Sequence, residues 1–182
     1  DFKVTAYGAR ADGTSCTGAF RKAIAACAEA GGGRVVVPAG TWFTGPIHFR
    51  NNVELHLEKG AVLDFSDDPK DCLPAVMSSW EGLECMNYSP LVYAYCCTNV
   101  AITGQGALKP RMKGWNRYFR ESGTNIQDAR RILYTWGATD YPVEKRVMPE
   151  ASDAVMRPQL LQVNRSVNVR LEGITVKDSP VW

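Results

Sequence analysis

Histidine is scarce: His48 and His56 are the only two in 182 residues. Cysteines stand at 16, 27, 72, 85, 96 and 97, a spacing that gives neither a zinc-ligand set nor a CxxC redox pair. No sign of charge dominates. Twenty-one Lys and Arg against nineteen Asp and Glu leave +2, too little to mark a nucleic-acid binder. Sixteen Gly and ten Pro are too few for a collagen-like or low-complexity chain. The longest uncharged run, Cys85 to Leu108, is interrupted by Asn87, Ser89, Pro90, Asn99, Gln105 and two glycines. It does not read as a membrane span, which needs about 20 predominantly apolar residues. No signal peptide stands at the start, so Asp1 reads as a processed end or an arbitrary boundary.

What is present is 45% hydrophobic residues, enough for one well-formed core. Phe20, Ile24, Cys27 and Ala28 recur at helical spacing and predict a helix over residues 15–30. Ser15 or Thr17 is the expected N-cap, and Gly31-Gly32-Gly33 accepts the left-handed backbone of its end. The cysteines read as small buried hydrophobes, Cys27 on the helix and Cys96-Cys97 in a strand-like stretch. One or two disulfides stay open if the protein is exported.

Beyond the helix the pattern shortens. Residues 34–37, 41–43, 47–49, 53–57 and 61–65 are β-branched or aromatic, separated by Pro38, Gly40, Gly45-Pro46, Asn51-Asn52 and Lys59-Gly60. Val53, Leu55 and Leu57 alternate with Glu54 and His56, so the three aliphatics share one face. Strands this short fit a sandwich, a barrel or a solenoid. Asn52-Val53-Glu54-Leu55, Asn99-Val100-Ala101-Ile102 and Asn168-Val169-Arg170-Leu171 repeat one form at irregular spacing, each followed by glycine and another short apolar segment. A parallel β-helix explains this best, with inserted loops lengthening some coils and asparagines stacking at equivalent turns. The helix then serves as the cap that a solenoid end requires. Residues 110–154, with Trp115, Tyr134 and Trp136 among many charges, read as an insertion, helical around Gln127 to Tyr134.

The order of motifs carries a resemblance. Ala6-Tyr7-Gly8-Ala9, Asp12-Gly13, Gly31-Gly32-Gly33, Val35-Val36-Val37-Pro38-Ala39-Gly40 and Thr44-Gly45-Pro46-Ile47 resemble the start of glycoside hydrolase family 28. The match continues through Leu57-Glu58-Lys59-Gly60-Ala61, Phe65-Ser66-Asp67-Asp68-Pro69, Asn87-Tyr88-Ser89-Pro90 and Arg157-Pro158-Gln159 to Ser179-Pro180-Val181-Trp182. These are polygalacturonases and related pectin hydrolases. The resemblance implies an all-β fold, a right-handed parallel β-helix of the pectin lyase-like type, with residues 1–182 as its N-terminal portion. Family members are inverting enzymes in which one carboxylic acid protonates the leaving oxygen and a carboxylate base activates water. Their aspartates sit in an Asn-x-Asp motif and an Asp-Asp pair, helped by Gly-His-Gly and Arg-x-Lys motifs, all following the Ser-Pro-x-Trp stretch. Here that stretch is the last, neither Asn-x-Asp nor Gly-His-Gly occurs, and no Arg-x-Lys motif is expected within the chain.

No residue of the chain is therefore assigned a catalytic role, and the chain is expected to be inactive alone. Asp67-Asp68 matches the family's early turn, and its expected state is a solvated turn. His48 and His56 read as strand histidines with satisfied hydrogen bonds. Lys109 to Arg120 holds five cations and three aromatics in twelve residues. It is either a cleft wall for a polyanionic galacturonate chain, or a surface helix with Trp115, Tyr118 and Phe119 inward and its cations in water. No metal or cofactor is called for; a pectate lyase would need clustered acids for Ca²⁺, and none stands out. The expected partner is a pectic polysaccharide or oligogalacturonate, with no nucleic acid and no membrane span. The C-terminal solenoid end is expected to be open and to self-associate or be covered by another chain. A secreted or periplasmic location follows from the family's polymeric substrate. The alternative reading is a non-catalytic carbohydrate-binding or remnant β-helix module.

Overall fold

A computed structural model describes residues 1–118 in full, the backbone of 119 and 120, and residues 126–181. The side chains of Phe119 and Arg120, and Trp182, lie outside the described residues. Strand β1 (Phe2–Lys3) and a 3₁₀ turn lead to helix α1 (Thr17–Glu29). Coils of three strands follow: β2 (Gly33–Val37), β3 (Gly40–Thr44) and β4 (Ile47–His48), then β5 (Val53–Leu57) and β6 (Ala61–Phe65). A hairpin, β7 (Val76–Trp80) and β8 (Leu83–Asn87), precedes β9 (Val92–Tyr95), β10 (Thr98–Gly104) and β11 (Ala107–Pro110). Helices α2 (Met112–Arg120), α3 (Ile126–Ala138) and α4 (Met148–Ala151) then intervene before β12 (Leu161–Asn164), β13 (Val167–Glu172) and β14 (Thr175–Val176).

Equivalent strands of successive coils pair in parallel. One sheet runs β1-β2-β5-β10-β13, a second β3-β6-β11-β14 and a third β4-β9-β12. This is a right-handed parallel β-helix. Its register stacks like on like: Val35, Leu55, Ile102 and Leu171 lie over one another in the first sheet. Trp42, Leu63, Leu108 and Val176 do so in the second, and Ile47, Val92 and Leu161 in the third. Each fully buried aliphatic contributes about 1.5–3 kcal/mol, so the alternation seen at Val53–Leu57 fixes which face turns inward.

The two ends differ. Phe20, Ile24 and Cys27 of α1 join the core and close the first coil. At the other end Leu171 is 49% and Val176 54% exposed, although their register partners Ile102 and Leu108 are buried. Capping of α1 departs from expectation. Cys16 holds the N-cap position without a side-chain hydrogen bond, and Ser15 Oγ, one residue earlier, accepts only a long bond from the Thr17 N–H at 3.5 Å. The Thr17 hydroxyl instead accepts from the Gly45 N–H at 2.7 Å, so it ties the helix to the corner after β3.

Cys96 and Cys97 also differ from expectation, since they form the bend between β9 and β10 with Cys96 at φ 53°. All six thiols are free. The antiparallel β7–β8 hairpin has no counterpart in the sequence reading. It packs with α3 and α4 around a second, smaller core of Trp80, Cys85, Ala129, Leu133, Met148 and Met156.

Candidate functional site

Two outward surfaces collect the charged side chains. The first is the outer face of the sheet β2-β5-β10-β13. Register places Arg34, Glu54, Ala101 and Arg170 in one row across four coils, and His56, Thr103 and Glu172 in a neighbouring row. Ala101 has no bulk to interpose, and Arg170 comes within 3.7 Å of Glu54 across it, while Arg34 approaches the same carboxylate at 3.2 Å. The Thr103 hydroxyl donates to Glu54 at 2.5 Å and accepts from Nδ1 of His56 at 2.7 Å. Burial alone would raise the Glu54 pKa. Thr103 and the two guanidiniums override it and hold the carboxyl below its usual value. At the edge of this face Asn52, Asn99 and Asn168 stack, Asn99 donating to Asn52 at 3.0 Å. Shallow troughs of about 790 and 540 Å³ flank the row.

The second surface is a wall at the corner between the second and third sheets. The first coil turns this corner with Gly45-Pro46 alone, whereas the next two insert the hairpin and the helices α2–α4. Arg111 donates through Nε and Nη2 to Asp64 at 2.9 and 2.6 Å and lies over the Phe43 ring. The Gly114 N–H donates to Asp67 at 3.1 Å, so Asp67 serves the first turn of α2, while exposed Asp68 caps the short 3₁₀ turn at Pro69–Cys72. Trp115 is buried against Tyr118, and Lys113 and Arg117 face outward. Arg117 donates to the Tyr118 hydroxyl at 2.5 Å. Among the described residues, inward Trp115 and Tyr118 and outward Lys113 and Arg117 fit a surface helix; the Phe119 and Arg120 side chains lie outside the described residues.

Against the expectation that the chain holds no Arg-x-Lys motif, Arg111-Met112-Lys113 has that spacing. It precedes the Ser-Pro-x-Trp stretch, and Arg111 is engaged by Asp64. Further out, Arg130 and the Tyr134 hydroxyl both bond Glu81. Tyr134 first, and Arg130 after it, draw Glu81 below the ordinary carboxylate value. Both shifted glutamates thus move opposite to what a general acid requires.

The histidines are separate. Nε2 of His48 meets Ser89 Oγ at 2.7 Å, and Ser89 donates its own proton to the Pro90 carbonyl, so Nε2 carries a proton. The surrounding protein, aided by the Arg21 charge, holds the His48 pKa below the ordinary value although the outer ring edge is exposed. Burial pushes the Cys72 and Cys85 thiols up to about 12, which removes them as thiolate nucleophiles. Among the described residues no three His, Cys, Asp or Glu side chains are placed to hold a metal ion.

No family model matches the chain. A solved hyperthermoactive exopolygalacturonase from Thermotoga maritima superposes with a TM-score of 0.93 at 38% identity, over 99% of this chain and 42% of that one. An exo-poly-alpha-D-galacturonosidase of Dickeya chrysanthemi is 44% identical over 69 residues, 37% of this chain and 11% of that protein. A probable polygalacturonase of Vitis vinifera is 25% identical over an alignment of 186 positions, covering 97% of this chain and 32% of the relative. The chain therefore spans less than half the length of each of these proteins. Its strand stacking and its likeness to them agree: the chain is polygalacturonase-like and resembles the glycoside hydrolases of family 28.

Proposed function

We propose that residues 1–182 are the N-terminal portion of a polygalacturonase-like enzyme that hydrolyses α-1,4-galacturonosidic bonds of pectin with inversion. In this reading α1 is the cap, the helical wall is an insertion of about residues 110–154, and the catalytic coils stack on β13 and β14. The observation that carries it is the open end. Leu171 and Val176 occupy positions that are buried one coil earlier, at Ile102 and Leu108, and a further rung would cover them. Two of the relatives bear exo-acting names, and attack from the chain end is the mode proposed here. A polymeric substrate supports a secreted or periplasmic location for this work.

Inverting hydrolysis needs a protonated carboxyl and a carboxylate base roughly 6.5–9.5 Å apart, with water held between base and sugar. No residue of this chain is assigned to either role, so the chain is inactive alone in this proposal. A reducing-sugar assay on polygalacturonate tests it. The 182-residue chain releases nothing, and a protein extended by the coding sequence beyond Trp182 releases galacturonate. Hydrolysis by the short chain overturns the proposal. A coding sequence that ends at Trp182 favours a carbohydrate-binding module, a reading consistent with the paired state of Glu54, Asp64 and Glu81.

A further inference from the structure

A cavity of about 350 Å³ opens between α1 and β4, with the segment 71–76 on its third side. Phe20, Ile24 and Ile47 line it with apolar surface, and exposed Leu73 and Pro74 form its lip. Its size falls within the range of small-ligand pockets, roughly 300–1,000 Å³, which pair an apolar lining with a few placed polar groups. Here those groups are Arg21, His48, Arg50 and Asp71.

Arg21 differs from the arginines that acidic side chains hold. Glu54 engages Arg34 and Arg170, Asp64 engages Arg111, Glu81 engages Arg130, and Glu84 engages Arg165. Among the described residues Arg21 has no hydrogen-bond or ion-pair partner. Arg50 reaches Glu29 only at 3.7 Å between exposed groups, a contact worth little and readily exchanged. Asp71 accepts from the Ser66 hydroxyl at 2.6 Å, and the cavity lining carries two guanidiniums against this one carboxylate. His48 spends its Nε2 proton on Ser89, so the neutral ring offers Nδ1 as an acceptor.

We propose that this cavity binds a carboxylate-bearing sugar, one hexuronate unit, with its carboxylate on Arg21 and Arg50 and a hydroxyl on His48. Guanidinium groups suit a planar carboxylate, and the Leu73–Pro74 lip supplies apolar surface for the C–H face of a pyranose. The carboxylate follows from the two guanidiniums of the lining. That it is carried by a sugar, and that the uronate is galacturonate, rest on the reading given under Proposed function.

Nuclear magnetic resonance titrations of the 182-residue chain with galacturonate, glucuronate and neutral galactose test this. The His48 ring and the Arg21 and Arg50 Nε–H signals shift with uronate and not with galactose. The double variant Arg21→Gln/Arg50→Gln keeps the native signal dispersion and binds at least about tenfold more weakly. Equal response to galactose, or uronate shifts confined to other residues, overturns the proposal. Shifts with glucuronate alone support the pocket while removing the pectic reading. Conversely, trigalacturonate binding that leaves these three signals unmoved removes the pocket and keeps the pectic reading.

Discussion

The side-chain amide of Asn168 donates to Oδ1 of Asn99, one coil away, at 2.6 Å. Asn99 repeats the contact toward Asn52, and the three residues share left-handed backbone at φ 57°, 56° and 63°. Asparagine meets both demands, since it tolerates that backbone and carries a donor and an acceptor on one amide.

Removing the middle amide is therefore costly twice over. Asn99→Ala loses two side-chain bonds and forces an alanine into the left-handed region, for a loss of about 2–3 kcal/mol. Asn99→Gly loses only the bonds and falls between the variant and the parent in urea denaturation. Equal losses for the two variants would show that the backbone contributes nothing.

Gly104 tests coil spacing. At φ 104°, an added Cβ would lie 2.0 Å from the Leu57 carbonyl oxygen. Because that neighbour is backbone, it has no rotamer into which to withdraw. Gly104→Ala is expected to destabilise by roughly 4 kcal/mol or more, in the range reserved for severe lesions. Thermal unfolding followed by circular dichroism measures it.

Glu54 sets an acid limit. Its folded pKa lies below the ordinary 4.5, so the native fold favours the ionised form. That stabilisation is complete above pH 4.5 and fades as pH falls through the folded value. Glu54→Gln should lower Tm near neutral pH and narrow the gap from the parent in acid. A gap that stays constant down to about pH 3 contradicts the ion network.

Position along the stack decides what a leucine contributes. Leu55→Ala, in the closed interior, is expected to cost about 2–5 kcal/mol. Leu171→Ala, its register equivalent at the exposed end, is expected to cost under about 1 kcal/mol. Similar losses for both would mean that Leu171 is covered in solution.

Thiol reactivity maps burial directly. Of six free cysteines only Cys96 is exposed. A thiol-reactive dye should modify one group rapidly in the native protein and all six in denaturant. Two fast groups in the native protein would show that Cys97 is also reachable.

The strands were legible where alternation was strict, as at Val53–Leu57, and where glycine, proline or asparagine marked each corner. The Asn-Val repeat disclosed the stacking because register keeps equivalent residues in contact. The hairpin was missed because Met77, Ser78 and Ser79 carry little strand signal. Its sign was Glu81-Gly82, both at positive φ, as a primed two-residue turn requires. The cap of α1 misled because Thr17 serves the Gly45 amide, a long-range demand that no local rule encodes. The α1–β4 cavity was equally hidden, since Arg21, His48 and Asp71 come together only after winding.

Taken by itself, the 182-residue chain has one closed and one bare end, which give it a direction of unravelling. The last rung, β13 with β14, lacks a neighbour on one side and should surrender its amide protons to exchange first, with loss proceeding toward α1. Arg170 fastens that rung to Glu54, two rungs inward, through a charge contact that salt weakens. Raising ionic strength should therefore loosen the terminal rung before the interior, like a fastener opened from its free tooth.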